Sequence, residues 1–328
     1  EAKTIHRLLE YNPQEDVFYR NQYNPVDADL VIVDEASMLD LLLASSLLKA
    51  IPNGTSVVFV GDVDQLPPVG PGNLLRDVID ARRFTVKRLQ RVFRQDEDSI
   101  LIENAHRINR GDFPILGKPM SDFFLVEKET PEEVAQTIVD LCARILPSRL
   151  GMNPFEDIQV LAPMYKGDAG ANNLNHLLQT ALNPGTDRFR GRFRPGDKVM
   201  QLRNNYEKMV FNGDIGLVID CDEEGGCIRV QFEHVVDYDS VEADELTLAY
   251  AVTVHKSQGS EFPCVVMPVV TQHYVMLYRN LLYTAVTRAE KLVALVGSRK
   301  ALSLAIKNVR TDKRYSSLSE RISRMIPA

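Results

Sequence analysis

Two short apolar runs that end in acidic residues constrain the fold more than any other feature of this chain. Residues 30–33, Leu-Val-Ile-Val, lead directly into Asp34-Glu35, and residues 56–60 lead into Gly61-Asp62. A continuous apolar run of this length fits a buried strand of a parallel sheet, where functional groups collect at the C-terminal strand ends. Residues 84–89 offer a third strand, and residues 96–109 read as a helix closed by Arg110-Gly111. A second series follows: a strand at 123–126, a helix at 131–145, a strand at 158–162 and a helix at 171–181. Thr130 suits the N-cap of the 131–145 helix and Pro131 its first position. Alternating strands and helices predict parallel α/β layers, and two series in succession predict two domains with a cleft between them.

Over residues 192–241 the pattern changes to short β-rich runs split by glycine and acidic turns, such as Asp222-Glu223-Glu224-Gly225-Gly226. This predicts a small β-barrel inserted into the second α/β domain. The α/β pattern returns with a strand at 265–270, a helix near 281–287 and a strand at 292–296. The expected division is therefore 1–105 for the first domain, 106–191 with 242–328 for the second, and 192–241 for the insertion.

Composition excludes several classes. A hydrophobic fraction of 45% and a charged fraction of 25% are those of a globular protein. No uncharged apolar stretch is long enough to span a bilayer, and the first ten residues hold no signal-peptide core, so the expected location is cytoplasmic. Cys142, Cys221, Cys227 and Cys264 form no Cys-x-x-Cys pair and have no histidine cluster beside them, which predicts buried reduced thiols rather than a zinc site. The net charge of −7 argues against coating nucleic acid through bulk charge, but leaves room for a local basic groove.

The chemistry is concentrated in five motifs. Asp34-Glu35 at a strand tip is a Walker B arrangement: Asp34 can hold Mg²⁺, directly or through water, and Glu35 can orient and deprotonate an attacking water. Gln65, in the run from Gly61 to Gly72, can sense a γ-phosphate by hydrogen bonding, while Pro67 and Pro68 stiffen the loop. The third motif holds Arg94, the fourth runs from Thr253 through His255 and Gly259 to Glu261, and the fifth runs from Tyr283 to Arg288. Arg94 and Arg288 suit the arginine-finger role, offering planar donors and permanent charge to a transferring phosphoryl group. Each of these residues, taken singly, is equally compatible with a turn, a core or a surface position.

Taken together, the set resembles the superfamily 1 helicases. Asp34-Glu35-Ala36-Ser37 matches motif II, residues 61–68 motif III, Phe93-Arg94-Gln95 motif IV, residues 253–261 motif V and residues 283–289 motif VI, all in the family order. Within superfamily 1 the wording of residues 2–9, 104–111 and 252–259 is similar to the RecD-like enzymes. The resemblance implies two RecA-like parallel-sheet domains, hydrolysis of ATP between them with Mg²⁺, and 5′→3′ translocation on single-stranded DNA. It also implies roles: Asp34, Glu35, Gln65, Arg94 and Arg288 in catalysis, Gly259 and Glu261 near the nucleotide, Thr253 and His255 on DNA. It implies a small strand-separating hairpin near residues 11–24 as well, and single-stranded DNA, single-strand/duplex junctions and nuclease-complex subunits as partners.

One part of the family pattern is missing. No Gly-x-x-x-x-Gly-Lys-Ser/Thr run occurs in the sequence. In the family that phosphate loop precedes the segment matched by Thr4-Ile5-His6-Arg7, so the expectation is a chain truncated after it, with an incomplete first domain, exposed apolar faces on its sheet and little ATP turnover by itself. The competing reading is a non-catalytic DNA-binding scaffold with a degenerate helicase fold. Arg190, Arg192 and Arg194, interleaved with Phe189 and Phe193, fit a groove that tracks a DNA backbone and stacks bases.

Overall fold

The structure is a computed structural model that describes residues 2–89, 99–185, 192–222, 226–309, 314 and 316–326. The chain divides into two compact units, residues 1–91 with 311–328, and residues 92–310.

In the first unit, α1 (Ile5–Leu8) starts at Thr4, whose hydroxyl oxygen accepts from Arg7 N at 3.3 Å. β1 (Tyr11–Asn12) and β2 (Val17–Phe18) pair antiparallel. β3 (Leu30–Val33) is followed by α2 (Leu41–Ala50), β4 (Ser56–Phe59) and α3 (Leu74–Asp80). β3 and β4 pair in parallel, Leu30 opposite Ser56 and Val33 opposite Phe59. Val31 and Val33 join a core with Leu9, Val26, Ala44, Leu47, Leu74 and Leu75. The opposite face is open: Leu30 is 51% exposed, Ile32 62% and Val58 45%. These apolar runs are thus buried on one face only. Residues 84–89 carry no strand, against expectation; Phe84, Val86 and Leu89 are all exposed and find no core to pack on.

The second unit begins with α4 (Ile100–Arg110), ended by Gly111 at φ +90°, a conformation that favours glycine. β5 (Phe123–Glu127) leads to α5 (Pro131–Asp140), opened by a reciprocal capping box between Thr130 and Glu133. The last five residues of the expected 131–145 helix, Leu141–Ile145, form a π-helical turn instead, and it leads into α6 (Leu146–Leu150). β6 (Ile158–Ala162) and α7 (Ala171–Leu182) precede the insertion.

The insertion contains β7 (Lys198–Gln201), β8 (Ile215–Cys221), β9 (Cys227–Gln231), β10 (Val235–Asp239) and β11 (Leu246–Leu248), an antiparallel sheet in the order β10-β9-β8-β7-β11. It has its own core, which includes Phe193, Val199, Val218, Val230, Tyr238 and Leu246. A 3-10 turn at Glu242–Glu245 carries the chain from one sheet edge to the other, so the sheet extends to Leu248. Among the described residues β10 and β11 remain its edges, and no pairing between them closes the expected barrel.

The chain then returns through β12 (Ala251–Thr253), β13 (Phe262–Val269), α8 (Arg279–Thr287), β14 (Ala289–Gly297) and α9 (Arg299–Lys307). The resulting sheet is parallel throughout, in the order β12-β6-β13-β14-β5. Its central strands are buried on both faces, as continuous apolar runs require. The final helix, α10 (Leu318–Met325), packs on α3, and Ser323 Oγ donates to Ala81 O at 3.3 Å. These contacts group the C-terminal residues with the first unit rather than with the second, where the sequence pattern alone assigns them.

No helix among the described residues is long and apolar enough to cross a membrane. Three of the four free cysteines are buried, but Cys227 is exposed because the alternation of β9 turns it outward. Burial pushes the Cys142 thiol up to about 12.

Candidate nucleotide and nucleic-acid sites

In the first unit the acidic pair stands at the C-terminal end of β3. Asp34 is exposed, and its Oδ1 accepts from Glu35 N at 2.8 Å. Glu35 has φ 49° and ψ 37°, the left-handed region, at a cost for a non-glycine residue on the order of 1 kcal/mol or more. Beyond the strands the ladder continues, with Val60 N donating to Val33 O and Ala36 N to Val60 O, both at 2.8 Å. Gly61 follows, and a Cβ there would lie 2.9 Å from Ser37 N, so only glycine lets the two motifs approach this closely. Gln65 is 8% exposed, and its amide nitrogen Nε2 donates to Asp62 Oδ2 at 3.4 Å. Adjacent parallel strands therefore deliver Asp34, Glu35 and Gln65 to one end of the sheet.

The donor set suits Mg²⁺. Asp34 presents a hard carboxylate oxygen at an exposed strand tip. Mg²⁺ is commonly held this way, by one or two carboxylates together with water and substrate phosphates.

In the second unit, register divides motif V between two ends of the sheet. Thr253 pairs with Ala162 at the C-terminal end of β6, whereas Cys264 pairs with Ile158 at its start. Thr253 and Cys264 therefore stand four residues of strand apart, about 13 Å along the sheet, and Glu261, just before β13, lies farther still at the edge opposite Thr253 and His255. Thr253 is buried, and His255 is half-buried in a 3-10 turn, where desolvation pushes its imidazole below the usual range. Next to it Lys256 Nζ donates to Asn212 Oδ1 of the inserted domain at 2.7 Å. At the other edge Gly259 has φ +78° with open space where a Cβ would stand. Arg288, only 4% exposed, donates from Nη1 to Ser260 O at 3.2 Å, and its own carbonyl accepts from Phe262 N at 2.9 Å.

The basic run before the insertion is only partly available. Arg192 is exposed, with its guanidinium 4.9 Å from the Phe193 ring centroid. Phe193 itself is 4% exposed and belongs to the insertion's core, so it is not a stacking platform for bases. Arg194 donates from Nη1 to Asn183 O at 3.0 Å. Arg94, Arg190 and Phe189 lie outside the described residues. Sequence reasoning missed Asp197, whose fully buried carboxylate accepts from Gln179 Nε2, Asn183 Nδ2, Arg194 N and the Tyr250 hydroxyl at 2.6 to 2.9 Å. It joins α7 and its cap to both ends of the insertion.

Walker B and motif III at neighbouring strand ends, and motifs V and VI meeting at one edge of a parallel sheet, define a superfamily 1 helicase core. Comparison with known proteins narrows this. Residues 1–71 match the AAA domain family, residues 174–232 the ATP-dependent RecD-like DNA helicase SH3 domain, and residues 248–296 the UvrD-like helicase C-terminal domain. The chain is 40% identical over 325 residues to the ATP-dependent RecD2 DNA helicase of Deinococcus radiodurans, covering 98% of this chain and 43% of that protein. It is 28% identical over 316 residues to the RecBCD enzyme subunit RecD of Mycolicibacterium smegmatis, covering 93% of this chain and 56% of that one. It thus spans about half the length of these relatives. In fold it is similar to a Bacteroides Pif1 helicase solved with ADP-AlF3 and ssDNA, with TM-score 0.52 and 18% identity over 88% of this chain and 78% of that one. The chain belongs to the RecD-like family of superfamily 1 DNA helicases.

Proposed function

We propose that this chain belongs to an ATP-dependent DNA helicase that moves 5′→3′ along single-stranded DNA and opens single-strand/duplex junctions in the cytoplasm. The observation that carries the reading is the delivery of Asp34, Glu35 and Gln65 to one end of a parallel pair, with Glu35 held in a left-handed backbone conformation. Glu35 takes the proton of the attacking water, and Gln65 hydrogen-bonds the γ-phosphate without neutralising it. Asp34 would hold Mg²⁺, which when bound offsets charge on the phosphates. Arg94 and Arg288 meet the charge that develops on the transferring phosphoryl group, and Gly259 and Glu261 border the nucleotide. Thr253 and His255 contact DNA at the opposite sheet edge, aided by Arg190, Arg192 and Arg194. The β1–β2 hairpin is proposed as the strand-separating element. The RecBCD-subunit relatives extend the proposed partners to subunits of a nuclease complex.

The experiment is single-strand-stimulated ATPase in the full-length protein with and without Glu35→Gln. Hydrolysis should be lost while nucleotide binding persists, because the amide fits but cannot accept the proton. Turnover within a few-fold of the parent would remove Glu35 as the base. A full-length parent that binds DNA but hydrolyses no ATP would favour the scaffold reading.

A further inference from the structure

Three backbone carbonyls of the motif III loop converge on one side chain from near the C-terminus. Arg314 donates from Nη2 to Pro68 O at 2.6 Å, and from Nη1 to Gly72 O at 2.8 Å and to Gly70 O. All of these residues belong to the first unit. The same C-terminal segment is fastened nearby: Ser316 Oγ donates to Asp77 Oδ2, and Leu318 packs against the core of that unit. Carbonyl oxygens turned toward one point repel one another and need a donor when partly buried. A guanidinium meets the need with several N–H groups in a fixed plane and a charge that does not titrate; an ammonium offers a point charge on a flexible stem.

The loop is also held on its other side. Leu66 is fully buried, and Leu41 N donates to Pro71 O at 2.9 Å. A Cβ added at Gly70 would collide with the Asp40 side chain, and one at Gly72 with that of Leu41. Asp40 and Leu41 begin α2, directly after motif II. Between these anchors Pro67 and Pro68 restrict the backbone. A displacement of the 68–72 segment is therefore passed to Gln65 instead of being absorbed by the loop.

We infer that Arg314 is a positioning residue for Gln65, locking the motif III loop so that the amide stays aligned with the γ-phosphate. The inference rests on the proposed role of Gln65. Arg314 itself touches only backbone carbonyls in these contacts, so its loss should lower turnover without a comparable loss of nucleotide affinity.

The test uses the full-length protein and measures kcat and KM for ATP in single-strand-stimulated hydrolysis, with unfolding midpoints as a check on folding. The variants are Arg314→Ala, Arg314→Gln, Ser316→Ala, Gln65→Ala and the Arg314→Ala/Gln65→Ala pair. Small misplacements of aligned groups cost up to about a hundredfold in rate, so kcat should fall roughly tenfold or more in folded Arg314→Ala, with KM changed less than about twofold. Ser316→Ala, which loosens the segment without touching the loop carbonyls, should keep kcat near that of the parent. The double variant should be no slower than Gln65→Ala, because one residue acts through the other.

A normal kcat in folded Arg314→Ala overturns the inference, and so does additive loss in the double variant. Equal loss in Ser316→Ala overturns it too, since attachment of the segment would then be the whole effect. Should Arg314→Ala fail to fold, Arg314→Gln decides, and a normal kcat there also overturns it. A normal kcat in Gln65→Ala with a slow Arg314→Ala would instead sink the reading of Gln65 and leave Arg314 acting by another route, contrary to the inference. A slow Gln65→Ala beside a normal Arg314→Ala would sink only the inference.

Discussion

Arg288 donates from Nη1 to Ser260 O at 3.2 Å, so motif VI is tied to motif V by a guanidinium that is 4% exposed. A buried arginine held by a carbonyl is pre-oriented, and orientation is what an arginine finger needs. In the full-length protein Arg288→Ala should lower kcat on the order of a thousandfold, with a much smaller change in nucleotide affinity. Arg94→Ala should behave alike. Arg288→Lys should not restore the rate, because an ammonium lacks the planar fork. If the affinity for ATP falls and kcat holds, both arginines are ground-state ligands.

The salt dependence of single-strand binding reports on the basic run. Each phosphate contact removed should flatten the slope of log affinity against log salt by about 0.7 for single strands. Arg190→Ala/Arg192→Ala should therefore flatten it and weaken binding to all sequences alike. Arg194→Ala should differ, because its guanidinium holds Asn183 O. It should cost about 1 kcal/mol of stability, with a smaller effect on the slope. An unchanged slope in the double variant would move the DNA path away from residues 190–192.

The motif residues were legible in the sequence because their chemistry needs particular side chains at strand ends. Their conformations were not. Nothing in Asp34-Glu35-Ala36 signals that Glu35 is left-handed, since that φ is imposed by the 3-10 turn that follows it. Apolar runs read correctly as strands at β3 and β13, but only β13 is buried on both faces, because facing layers are tertiary facts. Residues 84–89 have the composition of a strand and no surface to pack on. Arg314 and Asp197 were invisible for a related reason: their partners are backbone carbonyls and scattered polar groups, which leave no spacing signature.

Asp197 predicts a large stability effect. Its carboxylate is fully buried and accepts from four donors. Asp197→Ala strands the Tyr250 hydroxyl and two side-chain amides, which should cost roughly 3 kcal/mol or more. Asp197→Asn should cost less, since one acceptor oxygen survives. Urea unfolding of the two variants decides this; a loss under about 1 kcal/mol for alanine would mean that water replaces the carboxylate.

The open face of the first sheet makes a prediction about the surrounding protein. Leu30 and Ile32 on β3, Val58 on β4 and Val60 just beyond it are 44% to 62% exposed. Apolar strand faces of this kind are normally covered. A single cysteine at Ile32→Cys, with exposed Cys227 replaced by Ser, should react quickly with a thiol reagent in the 328-residue chain and slowly in the full-length protein. The same 328-residue chain, which has no Gly-x-x-x-x-Gly-Lys-Ser/Thr run, should show negligible ATPase. Equal labelling rates would mean that nothing in the longer protein covers the face.

Acid sensitivity should trace in part to His273. It is 3% exposed in the 3-10 turn Thr271–His273 that follows β13, its Nδ1 finds no hydrogen-bond partner among the described residues, and burial pushes its pKa down to about 4. The folded state therefore holds a neutral imidazole, while the unfolded chain takes up a proton near its ordinary value of about 6.5. Between these values the unfolded state binds more protons, so stability rises with pH across the window. The contribution is complete above about pH 6.5, declines as pH falls toward 4, and is on the order of 3 kcal/mol across that window. His255 is shifted the same way by desolvation and adds to the trend. Urea midpoints at about pH 7.5 and about pH 5 should differ clearly in the parent and differ less in His273→Phe. If the acid-induced drop is the same in both, His273 is protonated without cost and its burial does not govern the response.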